Sequence, residues 1–270
     1  MNVKRILILC AFLLSGALLI VGIVVILSHW KFEKSGKRDL PEIMKNKILN
    51  VVTEYNSVDF YVSGDSIAGS QYELCQFIAH RSGLTIQLFL ENNLETSIQK
   101  LENNDYDVIA QNIPITNNNK QFLAFTVPIT KNKQVLVQRK NNISDSVLFI
   151  TNQIDLANQT IFVTKDSPAI LRLNHLAEEI AEPIHIMEIT GYTSEQLIYM
   201  VEEKEIDYAV VDKEISLKNT ILFPDLDFNT DISFTQLQAW ALRKTSPVLL
   251  DSLNVWIKAF KENKTRIKKR

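Results

Sequence analysis

Residues 48–90, ILNVVTEYNSVDFYVSGDSIAGSQYELCQFIAHRSGLTIQLFL, contain the pattern that decides the fold class. The stretch begins with a buried strand, continues with an amphipathic helix that Gly83 ends, and closes with a second strand. The buried face of the helix is predicted to consist of Tyr72, Cys75, Ile78 and Ala79. A strand, a helix and a strand in this order indicate a β-α-β unit.

The same alternation continues to the end of the chain. A helix at 94–104 and a strand at 106–113 follow, and the pattern restarts at 154–159. The second half is predicted to contain strands at 160–165, 184–189 and 207–212, helices at 167–180 and 193–204, and a final strand and helix within 237–263. Strands alternating with helices predict an α/β fold of two successive halves, with parallel sheets covered on both faces.

The N-terminal segment is strongly apolar. Residues 6–27 contain no charged side chain, and as a helix they would span about 30 Å of hydrocarbon. The run ends in SHWKFEK, where Trp30 suits a membrane interface. We therefore predict one transmembrane helix, an uncleaved anchor at 1–30, followed by a juxtamembrane linker at 31–47 that enters a short helix. A cleaved signal peptide, with a shorter apolar core, is the alternative.

Composition excludes several classes of function. The 270 residues carry a formal net charge of −2, with 46% hydrophobic and 22% charged residues, which is ordinary for a globular chain. No basic stripe interleaved with aromatics occurs in the body of the chain, so we expect no nucleic-acid partner. Two cysteines and four scattered histidines provide no metal-ligand spacing, and no cofactor motif or catalytic motif is present. We therefore expect no metal, no cofactor and no enzyme activity.

Four stretches, in their order along the chain, carry a resemblance to a known family. They are RDLPEI with ILNVVTEYNSVDFYV at 38–43 and 48–62, YDVIAQNIPITNNNKQFLAFTVPI at 106–129, EKEIDYAVVDKEIS at 203–216, and QAWALRK at 238–244. This layout resembles the type 2 periplasmic solute-binding proteins of the amino-acid-binding family. Within it, the opening and the ending are most similar to the binding domains of membrane-bound lytic transglycosylases of the F type.

The resemblance implies a domain organisation. It predicts a two-lobed periplasmic-binding-protein type 2 fold with hinge strands over residues 48–262. The predicted parts are lobe 1 at about 48–131 plus 238–262, lobe 2 at about 132–237, and a basic tail at 263–270. In such a fold, two lobes close around a ligand that is held at strand ends and helix N-termini.

The resemblance also implies a location and partners. It places the binding domain in the periplasm, on a single-pass anchor in the inner membrane. The implied partners are a small polar ligand (an amino acid, a peptide or a muropeptide-like molecule) and either a transporter permease or a murein enzyme. Transglycosylases of the F type carry a further catalytic domain with an essential glutamate. Because the sequence ends at Arg270, peptidoglycan cleavage is not expected.

The resemblance assigns Asn119 to the place of a ligand-binding arginine. In amino-acid binders, an arginine after the I-T step pairs with the ligand α-carboxylate, because a guanidinium offers two parallel donors. The asparagine run at 117–119 can donate amide hydrogen bonds but supplies no positive charge. The run either replaces the clamp with neutral amides, which argues against an ordinary amino-acid ligand, or is a capped turn that contacts no ligand.

The resemblance assigns three further residues to contacts with the charged groups of a polar ligand. Asp212 matches an acidic position that holds a ligand ammonium, although it can equally cap a helix that begins near Lys213. Thr164 and Ser167 lie at a strand-to-helix junction where the family places anion-contacting hydroxyls. Ser167 before Pro168 is also an ordinary helix N-cap.

The exit of the first strand is expected to line the cleft on the side of lobe 1. Glu54, Tyr55 and Tyr61 lie there, and the aromatic rings suit stacking on a ring or a sugar face. Asn112, at the end of a predicted strand, is expected in the same cleft. Trp240 belongs either to the cleft or to the core.

Three functions compete at this level. The first is a membrane-tethered solute-binding protein that serves transport or sensing. The second is a non-catalytic module, related to lytic transglycosylases, that binds murein fragments or regulates a murein enzyme. The third, an enzyme, is disfavoured because paired carboxylates such as Glu202 and Glu203 belong to an ordinary solvated helix face.

Overall fold

The computed structural model describes residues 38–140 and 147–268, so the predicted anchor at 1–30 lies outside the described residues. By its internal contacts the chain divides into residues 1–38 and 39–270, and the fold below is that of the second unit. Within the described ranges, no helix combines the length and the apolar character that a membrane crossing requires.

The second unit contains two lobes, each built on one mixed sheet. The first part of lobe 1 contains α1 (Leu40–Asn46), β1 (Ile48–Thr53), β2 (Tyr61–Ser63), β3 (Ser66–Ala68), α2 (Ser70–Ser82), β4 (Thr85–Leu90), α3 (Leu94–Glu102), β5 (Val108–Pro114), α4 (Asn119–Phe122), β6 (Leu123–Phe125) and β7 (Thr130–Asn132). Lobe 2 contains β8 (Gln134–Arg139), a 3-10 helix (Gln153–Leu156), β9 (Thr160–Thr164), α5 (Ala169–Ile180), β10 (His185–Ile189), α6 (Ser194–Glu202), β11 (Ala209–Asp212), α7 (Lys213–Asn219) and β12 (Leu226–Asp227). The chain then returns to lobe 1 with β13 (Gln236–Arg243) and α8 (Pro247–Lys268).

Each sheet is mixed, which corrects the prediction of parallel sheets. The order in lobe 1 is β4-β1-β5-β13-β6, with β7 also paired to β13, and the order in lobe 2 is β10-β9-β11-β8-β12. Strand β13 is antiparallel to β5, and β8 is antiparallel to β11. Both strands enter their lobe from a crossing between the lobes. They therefore start at the cleft and run away from it, whereas the parallel strands end there.

The core of each lobe lies on both faces of its sheet. Two clusters of buried apolar side chains fill lobe 1 and two fill lobe 2. Trp240, on β13, is fully buried in a lobe 1 cluster that also contains Cys75. The sequence allows either the cleft or the core for Trp240, and the structure shows that it is a core residue.

The lobe begins before the predicted boundary at residue 48. Helix α1 buries Ile43 completely, and Asp39 precedes it as the N-cap. The Asp39 carboxylate accepts hydrogen bonds from Leu40 N (2.8 Å) and also from Val248 N (3.1 Å) and Leu249 N (2.8 Å) in the first turn of α8. One side chain thus caps two helices. At the other end, α8 extends through the predicted tail to Lys268.

Replacing Asp39 with alanine tests this double cap. We expect the Asp39→Ala variant to lose about 2 kcal/mol of unfolding free energy, roughly 1 kcal/mol for each cap. Urea denaturation followed by circular dichroism measures the loss. Asp65→Ala, which removes an exposed carboxylate from the β2–β3 turn, is the matched control and should leave the midpoint unchanged. Equal midpoints for the two variants would rule out the double cap.

A buried arginine connects β13 to the turn between α3 and β5 in lobe 1. Arg243, the last residue of β13, donates to the carbonyls of Leu101 (2.7 Å) and Tyr106, at either end of the turn between α3 and β5. Its guanidinium also lies 3.2 Å from the Asp107 carboxylate, and the two side chains are 8% and 0% exposed. Asp107 in turn accepts from Asn50 N on β1 (2.9 Å).

Lobe 2 repeats this arrangement. Arg139, the last residue of β8, donates to the carbonyls of Val201 (3.1 Å) and Ile206 (3.0 Å), between α6 and β11. It pairs with Asp207, whose side chain is 51% exposed. The two lobes therefore share one pairing of an arginine with a carboxylate. The carboxylate is fully buried in lobe 1 and half exposed in lobe 2.

Candidate ligand-binding cleft

The candidate site lies where the strands of both sheets end. Glu54 follows β1, Asn112 lies near the end of β5, Thr164 ends β9 and Asp212 ends β11. These side chains and their neighbours from both lobes enclose a cavity of about 100 Å³. Ligands of open α/β sheets bind at the carboxyl ends of the strands, so this cavity is the site that the topology favours.

A larger cavity of about 560 Å³ lies between α8 and the hinge. Its two lysines already have partners, since Lys261 Nζ donates to the Pro128 carbonyl and Lys264 pairs with Glu73 at 2.8 Å. Asn112 lines this cavity as well, but most of its lining comes from α2, α8 and the residues around β7 rather than from the ends of the parallel strands. We therefore take the smaller cavity, named here the cleft, as the candidate site.

The two lobes touch directly at the cleft. Ser57 N of lobe 1 donates to Glu195 Oε1 of lobe 2 at 2.8 Å. On the other side, Asn93 Nδ2 donates to Asp166 Oδ2 at 2.7 Å. Hydrogen bonds of this length require the lobes to be closed, so the structure is that of the closed arrangement.

Asp59 organises the polar wall of lobe 1. It is 3% exposed and accepts from Ser70 Oγ (2.8 Å), Gln71 Nε2 (3.1 Å) and Asn112 Nδ2 (3.0 Å). Gln71 in turn accepts from Trp240 Nε1 at 2.6 Å. The amide of Asn112 is thus held by a buried network that is anchored in the core of lobe 1.

Two carboxyl groups in the cleft have raised pKa values. Burial, followed by the nearby negative charges of Asp59 and Asp212, raises the pKa of Glu54 to about 8 against the lowering effect of an Asn56 hydrogen bond. Burial also raises the pKa of Asp212 to about 7, although a hydrogen bond from Gln134 Nε2 (3.4 Å) favours its ionised form. The closed cleft therefore holds two partly protonated carboxyls near neutral pH.

The structure brings together most of the predicted site residues. Glu54, Asn112, Thr164, Ser167 and Asp212 all line the cleft.

Three predicted residues do not line the cleft. Tyr55 lines an adjoining cavity of about 50 Å³. Tyr61 lies on β2, paired with Ala68, and lines neither cavity. Asn119 also lines neither, and its Nδ2 donates to the Pro114 carbonyl at 3.0 Å. Asn119 is the first residue of α4, and its N–H donates to Thr116 Oγ1 at 3.1 Å, whereas Asn118 at the N-cap makes no side-chain capping hydrogen bond.

Asp212 and Ser167 could each cap a helix or contact a ligand, and the structure gives a different answer for each. Asp212 occupies the N-cap position of α7, but its side chain accepts no hydrogen bond from the helix. Its carboxylate is therefore available to the cleft. Ser167 Oγ accepts from Ala169 N at 3.3 Å, so this hydroxyl caps the start of α5 while it lines the cleft.

Sequence reasoning missed several cleft residues. Asn92 and Asp166 follow the ends of β4 and β9, so the rule that places ligands at strand ends would have found them. Gln134 belongs to the hinge, and its position depends on where the chain crosses between the lobes. Asp59, which holds Asn112 in the wall, and Glu195, which lines the adjoining cavity, come from a loop and a helix that only the folded chain brings together, so they carry no local signal.

Two α/β lobes joined by two chain crossings and closed over a polar cavity define the class of two-lobed ligand-binding proteins. The chain belongs to the bacterial extracellular solute-binding proteins, family 3, whose sequence profile matches residues 49–269.

Curated relatives share the sequence over most of this chain. The membrane-bound lytic murein transglycosylase F of Desulfosudis oleivorans is 26% identical over 238 residues, which cover 88% of this chain and 48% of the relative. The transglycosylase F of Aliivibrio fischeri is 25% identical, over 89% of this chain and 48% of the relative. The chain thus spans about half the length of the curated relatives it matches.

Solved structures share the fold. The arginine-bound form of truncated ArgBP from T. maritima has a TM-score of 0.70 and 22% identity, over 82% of this chain and all of that one (100%). AbpA, an amino acid ABC transporter substrate-binding protein from Streptococcus pneumoniae bound to L-arginine, has a TM-score of 0.69 and 18% identity, over 83% and 93% of the two chains. Identities this low establish the two-lobed fold alone.

Proposed function

We propose that this protein is a membrane-anchored, extracytoplasmic solute-binding protein that closes its two lobes around a small polar ligand, for transport or sensing. The observation that carries the proposal is the cleft itself. Polar side chains of both lobes enclose one cavity, and hydrogen bonds between the lobes hold it shut. Hinge closure of this kind couples ligand binding to a conformational change that a second protein can recognise.

The proposed location rests on two supports. The apolar run at 6–27 is long enough to anchor the chain in the inner membrane, and the family consists of extracellular proteins of bacteria. A periplasmic domain would meet a transporter permease or another membrane protein at the bilayer surface.

The names of the curated relatives favour a second candidate function. They are lytic murein transglycosylases, and this chain matches about half of their length. The chain would then be a non-catalytic module that binds murein fragments or regulates a murein enzyme. The ligand helps to decide between the two functions, because a murein fragment carries amino sugars that an amino acid, an amine or a short peptide lacks.

A ligand screen tests the proposed function. The full-length chain, purified in detergent, is heated with amino acids, amines, short peptides and muropeptides in separate samples. A ligand at 100 times its Kd stabilises the folded state by about 2.7 kcal/mol, which raises the melting temperature by several degrees. A saturable rise with at least one class supports the proposal, and the class identifies the function. No rise with any class would contradict it.

The interlobe hydrogen bond to Glu195 supplies a further prediction. Glu195→Ala removes the acceptor of Ser57 N and should favour the open arrangement, so that any ligand found in the screen binds about tenfold more weakly. Small-angle scattering should show a larger radius of gyration for this variant. Glu182→Ala, at an exposed position of the same lobe, is the control and should match the parent chain in both measurements.

A further inference from the structure

Three carboxyl side chains line the cleft. Glu54 from lobe 1 and Asp166 and Asp212 from lobe 2 line it, and Glu195 lines the adjoining cavity. Among the described lining residues the one cationic side chain is Lys165, which is exposed to solvent. When Glu54 and Asp212 are ionised, an enclosed ligand faces negative charge from both lobes.

The other cations near the cleft already have partners. Lys133 pairs with Asp231, and Lys213 Nζ donates to the Phe228 carbonyl at 2.9 Å; neither lysine lines the cleft. Arg139 and Arg243 bind backbone carbonyls at the far ends of the sheets. A ligand carboxylate in the cleft would thus meet carboxylates without a guanidinium to balance its charge.

A buried acceptor beside Asp212 has no partner. Gln238, on β13, is 1% exposed and lies against the Asp212 carboxylate, to which its side chain donates. Its Oε1 has no hydrogen bond within the described part of the chain. A buried acceptor without a partner costs free energy. Gln238 is not among the residues that line the cleft, so this acceptor lies next to Asp212 but outside the cavity wall.

We infer that the cleft selects small amines or guanidines that lack a carboxylate, with the ligand cation held between Glu54 of lobe 1 and Asp212 of lobe 2. The inference rests on the proposed function, since it names the ligand class of the same cleft. A cation placed between carboxylates of opposite lobes draws the lobes together, so binding and closure are coupled. A zwitterionic amino acid gains the same contact but must also bury its own carboxylate against acidic walls.

The raised pKa values predict the pH dependence of binding. Around Glu54 and Asp212, the charged groups that face them are Asp59, Glu195, Glu214, Asp166 and the rim residue Lys165. Only the ionised carboxyls attract a cation, and their pKa values in the closed cleft without a ligand are about 8 and about 7. Affinity should therefore rise as the pH increases from 6 to 9, and binding should release protons.

Titration calorimetry with matched ligand pairs tests the inference. The full-length chain is titrated at pH 8 with agmatine and L-arginine, and with cadaverine and L-lysine, which differ within each pair only by the carboxylate. We expect at least one amine to bind ten or more times more tightly than its amino acid. Titration of that amine in buffers of different ionisation enthalpy should show proton release.

Substitutions then locate the cation. Glu54→Gln and Asp212→Asn should each weaken binding of the amine at least tenfold, whereas Glu182→Gln should leave it unchanged. Circular dichroism confirms that each variant is folded. Amino acids that bind as tightly as the amines, or amines that do not bind at all, would overturn the inference. If muropeptides or amino acids stabilise the chain while amines do not, the inference fails and the proposed function stands.

Discussion

Replacing Arg243 with methionine is expected to lower the free energy of unfolding by about 3–5 kcal/mol. The substitution keeps the apolar stem but removes the donors to Leu101 O and Tyr106 O and the positive charge beside Asp107. Asp107 is 0% exposed, so its carboxylate would remain buried without a counter-charge. Urea denaturation at pH 7 measures the loss.

The chain contains a matched control for this prediction. Arg139→Met removes the same kind of contact from lobe 2, but there the partner Asp207 is half exposed and water can solvate it. We therefore expect roughly half the loss for this variant. The double variant Arg243→Met/Asp107→Asn should recover part of the stability, because the buried charge is gone. Equal losses at Arg243 and Arg139 would show that burial of the ion pair does not decide its effect.

The second large effect is expected at Gly69. This residue precedes α2 with φ +126° and ψ 158°, a conformation that is essentially confined to glycine. A Cβ atom here would lie 2.2 Å from the carbonyl oxygen of Asp59 and 2.7 Å from Phe60 N. Gly69→Ala should therefore lose about 3 kcal/mol or more, which corresponds to a fall in melting temperature of about 6–12 °C.

The clash at Gly69 also connects stability to the cleft. The backbone that must move carries Asp59, which holds Asn112 in the wall of lobe 1. Ligand binding should weaken together with stability in Gly69→Ala. Gly64→Ala is the control, because its φ is +59° and a Cβ there meets no atom within 4 Å. It should lose only about 1–2 kcal/mol. Equal melting temperatures for Gly69→Ala and Gly64→Ala would contradict the close approach of Gly69 to the Asp59 backbone.

Much of the fold can be predicted from the sequence because it depends on local patterns. The apolar spacing in residues 70–82 and the αL position at Gly83 predict helix α2 nearly to its ends. The buried strands β1, β5, β9 and β11 were predicted from their continuous apolar runs. Residues at the ends of those strands, such as Glu54 after β1 and Asp212 at the end of β11, could be assigned to a cleft because the resemblance places ligand contacts there and strand ends meet at one edge of a sheet.

The direction of β8 and β13 could not be predicted from the same patterns. An apolar run has the same appearance in a parallel strand and in an antiparallel one, and only the crossing between the lobes decides which way it runs. Helix α1 was placed in a linker for a similar reason. Its burial depends on α8, whose first turn shares the Asp39 cap from far along the chain.

The sequence alone determined that this chain forms two α/β halves with polar residues at the strand ends, because helix and strand periodicity and strand termini are properties of neighbouring residues. Only the tertiary structure decided which charges meet. Glu54 follows β1 in lobe 1 and Asp212 ends β11 in lobe 2, and the pKa values of both carboxyls are raised because the folded chain buries them in one cleft. The acidity of that cleft, and with it the expected ligand class, follows from the long-range contacts that close the lobes.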